Sequence, residues 1–184
     1  MGQEIDVLFN TFKEKAEAFT VKVIRCATAE EAEKAIHREL KEGGFKKVVS
    51  VPLEKINLET VKQKAQADGI EFITDLNRDV IEQAEFGISE FDLGISTLGT
   101  IAQDATDVYK RLVSTLPLTH LAIINTKSLV GTFEDALAVI QETYGNEIPG
   151  FMAFVTGPSK TADIERVLTI GVHGPERLIV VCVD

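Results

Sequence analysis

The chain has 184 residues, 45% hydrophobic, 26% charged and 7% aromatic, enough to bury one sizeable core. Nineteen basic against twenty-nine acidic residues leave a net charge of −10, which argues against a nucleic-acid partner, since phosphate binding needs clustered Lys and Arg. No run of about 18 apolar residues is present to cross a membrane, and Met1-Gly2-Gln3-Glu4-Ile5-Asp6 lacks the basic-then-apolar pattern of a secretory leader. Cys26 and Cys182 stand alone, with no CxxC and no Cys/His cluster, so no disulfide framework, metal site or cofactor of its own is expected. These absences set the expectation of a cytoplasmic protein.

Charge divides the chain. Residues 1–85 carry 30 of the 48 charged residues, while residues 86–184 carry 18 together with 9 of the 13 Gly and 4 of the 5 Pro. Gln3 to Phe19 reads as a helix, with Ile5, Leu8, Phe9, Phe12, Ala16 and Phe19 on one face. Val21 to Cys26 reads as a strand. Thr28 with Glu31 three residues on forms a capping-box pattern, opening a helix that closes at Gly43-Gly44. Lys46 to Val51 is a strand stopped by Pro52, Asn57 caps a helix ending at Asp68-Gly69, Ile70 to Thr74 is a strand, and Asn77 to Glu85 is a short helix. Three short extended runs follow at Phe86–Ser89, Leu93–Ser96 and Thr100–Gln103, then a helix over Asp107–Leu116. The nearly all-apolar His120–Asn125 has the composition of a central strand covered on both faces. Thr132–Tyr144 reads as a helix, Phe151–Thr156 as a buried strand, Thr161–Ile170 as a helix and Leu178–Val183 as the last strand. Alternating strands and helices predict one α/β domain over 1–184, three-layer α/β/α around a mostly parallel sheet.

The richest stretch for chemistry is Gly157-Pro158-Ser159-Lys160-Thr161-Ala162-Asp163, leading from a strand into the expected helix. Amides exposed at a helix start attract anions, and Lys160 adds a charge. The alternative is that Ser159 or Thr161 only caps the helix, with Asp163 favoured by its dipole. Gly94-Ile95-Ser96-Thr97-Leu98-Gly99-Thr100 places Gly beside small hydroxyl residues, which suits either close approach to a ligand or a tight turn. Together these segments are read as a site for an anionic small molecule. Among the histidines, His37 lies in a charge-rich helix and is expected in solvent. His120 opens a buried strand and is expected to pack. His173 in Gly171-Val172-His173-Gly174-Pro175 is an acid–base candidate or a helix-end residue. Ser159 lacks a GxSxG context.

Gly157 to Glu165 followed by Gly171-Val172-His173-Gly174-Pro175 resembles the closing signature of the LUD domain, the family of lactate-utilisation protein C (LutC/YkgG-like). Phe86-Gly87-Ile88-Ser89, Leu93 to Ile101 and Leu116-Pro117-Leu118-Thr119-His120 resemble its middle motifs, so the resemblance covers about residues 70–184, with 1–19 a preceding helix. One position departs: where the family usually reads Ala-Glu-Thr-Gly-Thr, this chain has Ser96-Thr97-Leu98-Gly99-Thr100. The resemblance implies a fold similar to the NagB/RpiA/CoA-transferase-like superfamily and a role beside iron–sulfur oxidoreductase subunits in oxidising lactate to pyruvate. The motif members carried over as ligand-binding candidates are Gly99, Thr100, Gly157, Pro158, Ser159, Lys160, Thr161 and Gly174, and as catalytic candidates Asp163 and His173. The alternatives are an enzyme or binding protein for a phosphorylated or CoA-linked small molecule, or a non-catalytic interaction module, the last favoured by Thr97 at the acidic position.

Overall fold

Helix α1 (Gly2–Ala18) buries Phe9, Phe12 and Ala16 at helical spacing and turns its charged faces to solvent. It opens a computed structural model that describes residues 2–162, 168–170 and 173–184. β1 (Lys22–Cys26) leads into α2 (Ala29–Gly43). The Thr28 hydroxyl accepts from the Glu31 amide at 3.2 Å, while the Glu31 carboxylate reaches one residue past the cap, to the Ala27 amide at 2.9 Å. Gly44 closes α2 at φ +67°, which a side chain would resist. β2 (Lys47–Ser50), α3 (Leu58–Ala67), β3 (Glu71–Ile73) and α4 (Arg78–Glu82) follow, the two helices capped by Asn57 and Asn77. Next come β4 (Phe86–Glu90), β5 (Leu93–Ile95), β6 (Thr100–Asp104), α5 (Val108–Thr115), β7 (Thr119–Asn125), β8 (Leu129–Val130) and α6 (Phe133–Tyr144). The described part closes with β9 (Met152–Val155), β10 (Lys160–Ala162), β11 (Leu168–Ile170) and β12 (Arg177–Val183).

Six strands form a sheet in the order β1-β12-β7-β4-β2-β3, each neighbouring pair parallel. Strand alternation sorts its side chains between two cores. Leu121, Ile123, Ile179 and Val181 pack toward α2 and α3. Ala122, Ile124, Val180 and Cys182 pack on the opposite face with Phe9 and Phe12 of α1, and farther along that face Val49 and Val51 meet Ile81 of α4 and Val113 of α5. Each fully buried Leu or Ile contributes about 1.5–3 kcal/mol of burial free energy. The architecture is therefore mixed α/β with a mostly parallel sheet covered on both faces, as the alternation of elements implies. No helix among the described residues is long and apolar enough to cross a membrane.

Three sequence expectations need correction. The segment 151–156 is a strand but not a buried one: β9 is the half-exposed edge of a second sheet, order β8-β5-β6-β9, antiparallel to β6. No helix spans 161–170. β10 and β11 pair antiparallel instead, with Thr161 opposite Thr169, and the β-branched Thr161, Thr169 and Ile170 at paired positions suit a strand better than a helix. The dipole role expected for Asp163 rested on that helix, and Asp163 itself lies outside the described residues. Finally, His37 is not simply solvated: its Nε2 lies 2.7 Å from Asp68 Oδ2, tying α2 to the end of α3.

Candidate functional site

Most of the motif residues converge at the amino-terminal edge of the parallel sheet, beside the end of α1. The Ser159 amide donates to Pro175 O at 2.9 Å, and the Glu176 amide to Leu118 O at 2.8 Å, so this cluster sits just ahead of β12 and β7. Thr100 and Thr156 hydroxyls meet at 2.8 Å, the His173 amide donates to Ser159 Oγ at 3.3 Å, and a Cβ on Gly174 would lie 3.2 Å from Ser159 Cβ. Pro158 is buried, His173 and Lys160 are exposed, and the Lys160 ammonium lies 5.3 Å from the Phe19 ring centroid. Thr161 falls in β10.

The two left-handed glycines of this cluster are shaped by packing. Gly157, at φ +145°, places its α-carbon where a Cβ would come within 3.2 Å of Phe19 O. Gly99, at φ +62°, abuts the backbone of α1 so closely that a Cβ would lie 2.7 Å from the Lys15 carbonyl carbon and nearer still to the Ala16 amide. Thr97 is exposed, and its hydroxyl donates to Gly131 O at 2.9 Å. The anion argument from a helix start loses its basis here, because the segment after Lys160 is a strand and the Ser159 amide is already engaged.

A cleft unmarked by any local motif lies at the opposite edge, where the strands end. The connection after β2 runs through α3 on one face of the sheet, whereas the chain after β4 passes to the second sheet and α5 on the other. Neighbouring strands whose connections leave toward opposite faces open a crevice at their carboxyl ends. Glu90, at the end of β4, fixes one lip: its carboxylate accepts the Glu54 and Lys55 amides at 2.9 and 2.6 Å and pairs with the Lys55 ammonium at 3.3 Å. Beside it lie two cavities of about 580 and 250 Å³, with Lys55 and Asp92 lining both. The larger runs between the loop after β7, where Asn125 Oδ1 accepts the Lys127 amide at 2.8 Å, and the C-terminal half of α6. Tyr144 projects into it. Burial, with Asp92 and Asp104 nearby, pushes the Tyr144 phenol up, so it stays a neutral donor at neutral pH. Lys55 and Asp92 lie in two connections, Asn125 ends β7 and Tyr144 ends α6, so no spacing in the sequence joins them. The available signal is positional: each follows or faces the end of an apolar strand.

Between the two edges, His120 packs as its apolar strand implies. It is fully buried, with Nε2 at 2.8 Å from Ser89 Oγ and its ring 5.8 Å from that of Phe91. Desolvation pushes it down to about 3, so it is a neutral imidazole across the physiological range and unsuited to acid–base work there. Cys26 and Cys182 reach adjacent strands but opposite cores, and both thiols are free. Burial pushes Cys182 up to about 12.

Comparison with known proteins places this arrangement. Lactate utilization protein C of Geobacillus sp. (strain WCH70) is 42% identical over 101 residues, covering 54% of this chain and 42% of that protein. The protein of the same description from Bacillus subtilis (strain 168) is 35% identical over 105 residues, covering 56% and 44%. The chain thus spans less than half the length of these curated relatives. The crystal structure of a DUF162 family protein from Deinococcus radiodurans shares the fold, with a TM-score of 0.70 at 18% identity over 98% of both chains. The LUD domain model matches residues 9–183, from within α1 to the end of β12. With that match taking in every strand of the parallel sheet, the chain belongs to the LUD domain family.

Proposed function

We propose that the chain is an accessory or ligand-binding component of lactate (2-hydroxy acid) utilisation in the cytoplasm, serving the oxidation of lactate to pyruvate beside iron–sulfur partner proteins. The observation that carries this is its 35–42% identity, over about a hundred residues, to proteins described as lactate utilization protein C. A division of labour with cluster-bearing partners is supported by the two cysteines, which point into opposite cores and do not offer joint ligands. Kinship with the NagB/RpiA/CoA-transferase-like superfamily belongs to the same reading, and the all-parallel sheet with covered faces supports it. So does treatment of 1–184 as a single domain.

Within this reading, a small anion is taken up at the Gly157–Thr161 loop, with Gly99, Thr100 and Gly174 as its packed support. What favours it is the exposed Lys160 ammonium beside Ser159 and His173. The test is complementation of a host strain lacking the gene, grown on lactate, with Lys160→Glu, Asp163→Asn and His173→Gln, and melting temperatures taken on the purified variants. Growth on lactate should fall while melting temperatures hold within about 2 °C. A deletion strain that grows normally on lactate defeats the functional reading, and variants that complement fully defeat the loop assignment alone.

A further inference from the structure

We propose that the larger carboxyl-edge cavity is a binding site for an amphipathic organic anion bigger than lactate, its aromatic or apolar body lying against α6 and the second sheet and its negative group at Lys127. This inference concerns the edge of the sheet opposite the motif cluster and does not depend on the lactate reading.

Size is the first argument. A volume of about 580 Å³ falls in the range that encloses ligands of drug or coenzyme-fragment size, and lactate would leave most of it empty. Polarity is the second. One wall is apolar, built from Leu93, Val139, Ile140 and Met152, and the other is polar, built from the Asn125–Ser128 turn. Val139, on a helix that buries Ala136 and Ile140 and leaves Phe133 and Leu137 exposed as well, is the exposed β-branched side chain of that helix that lines the cavity, at 37% exposure. A ligand with one greasy and one polar side satisfies both walls at once.

Charge supplies the third argument and the orientation. Lys55 is occupied by Glu90, whereas Lys127 is exposed and, although near enough to Asp184 to help hold that carboxyl down, makes no salt bridge within 4 Å among the described residues. Its backbone is held by Asn125 Oδ1, which accepts the Lys127 amide. In a chain of net charge −10, such an ammonium at a cavity rim is a favoured point for an incoming anion. Asp92 is on the same cavity, its Oδ2 held by the Asp104 amide at 2.6 Å, and a negative group placed there would be repelled. The two residues therefore give the ligand one direction, its anion toward β7 and its neutral or hydrogen-bonding end toward Asp92 and the Tyr144 hydroxyl.

The probe is 8-anilinonaphthalene-1-sulfonate, an aromatic body with one sulfonate, titrated by fluorescence against the folded chain. Saturable binding of one probe per chain is expected. Lys127→Glu should weaken it about tenfold, Lys127→Gln about threefold and Val139→Glu at least about tenfold, with melting temperatures near wild type. Millimolar L-lactate should not displace the probe. Phe154, 40% exposed and tilted against Phe133 with ring centroids 5.5 Å apart, marks a separate apolar patch, so Phe154→Ser should leave the affinity unchanged. Absence of saturable binding, indifference to the Lys127 and Val139 changes, displacement by lactate, or loss of binding in Phe154→Ser would each overturn the assignment.

Discussion

An imidazole buried with a serine and an aromatic ring, and with no carboxylate beside it, gives up its proton to stay inside. That is the situation of His120, and it makes stability depend on pH in a definite sense. Between the ordinary value of 6.5 and about 3, the unfolded chain binds a proton that the folded chain refuses. Stability from this group is therefore full above 6.5 and declines as pH falls through the interval, by at most ~1.4 kcal/mol per pH unit. Asp68 and Asp184, whose carboxyls are held below their ordinary value of 3.8 by His37 and by Arg25 respectively, lose their contributions only at lower pH. Melting curves at about pH 7.5 and about pH 5 should show a larger drop for wild type than for His120→Gln. Equal drops would mean that the ring is not the source. The packing role of His120 was legible because an uninterrupted apolar run surrounds it, whereas the His37–Asp68 contact was not, since nothing local links a helix residue to one 31 positions later.

At the scale of elements, the closing turn of the second sheet's hairpin is held against the first helix. Gly99 combines a left-handed φ with a close approach to the backbone of α1, where neither partner has a flexible side chain to move aside. Gly99→Ala should cost about 2–4 kcal/mol in urea unfolding, with any loss of activity tracking the loss of folded protein. A variant that is stable yet inactive would return Gly99 to the ligand-binding role. Helix starts were well marked in the sequence, because a cap is a local device: Thr28, Asn57, Asn77, Asp107 and Thr132 each accept an amide two or three residues on. The antiparallel pairing of β10 and β11 was not legible, because a run with apolar residues at helical spacing satisfies both patterns and only cross-strand pairing decides between them. The carboxyl-edge cleft was hidden for a related reason. Its residues are neighbours only through strand order, and strand order is not written in any window of the sequence.

For the whole molecule, alternation of strands and helices announced a parallel sheet, but not that β12 would lie between β1 and β7. That placement carries a consequence in time. Among the described residues β12 is the one strand paired with β1, so the pairing of Arg25 with Cys182 waits on a segment more than 150 residues downstream. Closure of so long a loop precedes any reward from contact, which slows folding. A chain ending at Glu176 should show no cooperative melting transition by circular dichroism and should expose its apolar core. A sharp transition in that truncated chain would show that β7, β4, β2 and β3 fold as an independent unit. During synthesis, then, β1 and the edge of β7 that pairs with β12 remain without that neighbour until this seven-residue strand has emerged. Through that interval the nascent chain is a candidate for chaperone capture, and a misstep there, rather than weakness of the finished fold, is the point at which this protein is most easily lost.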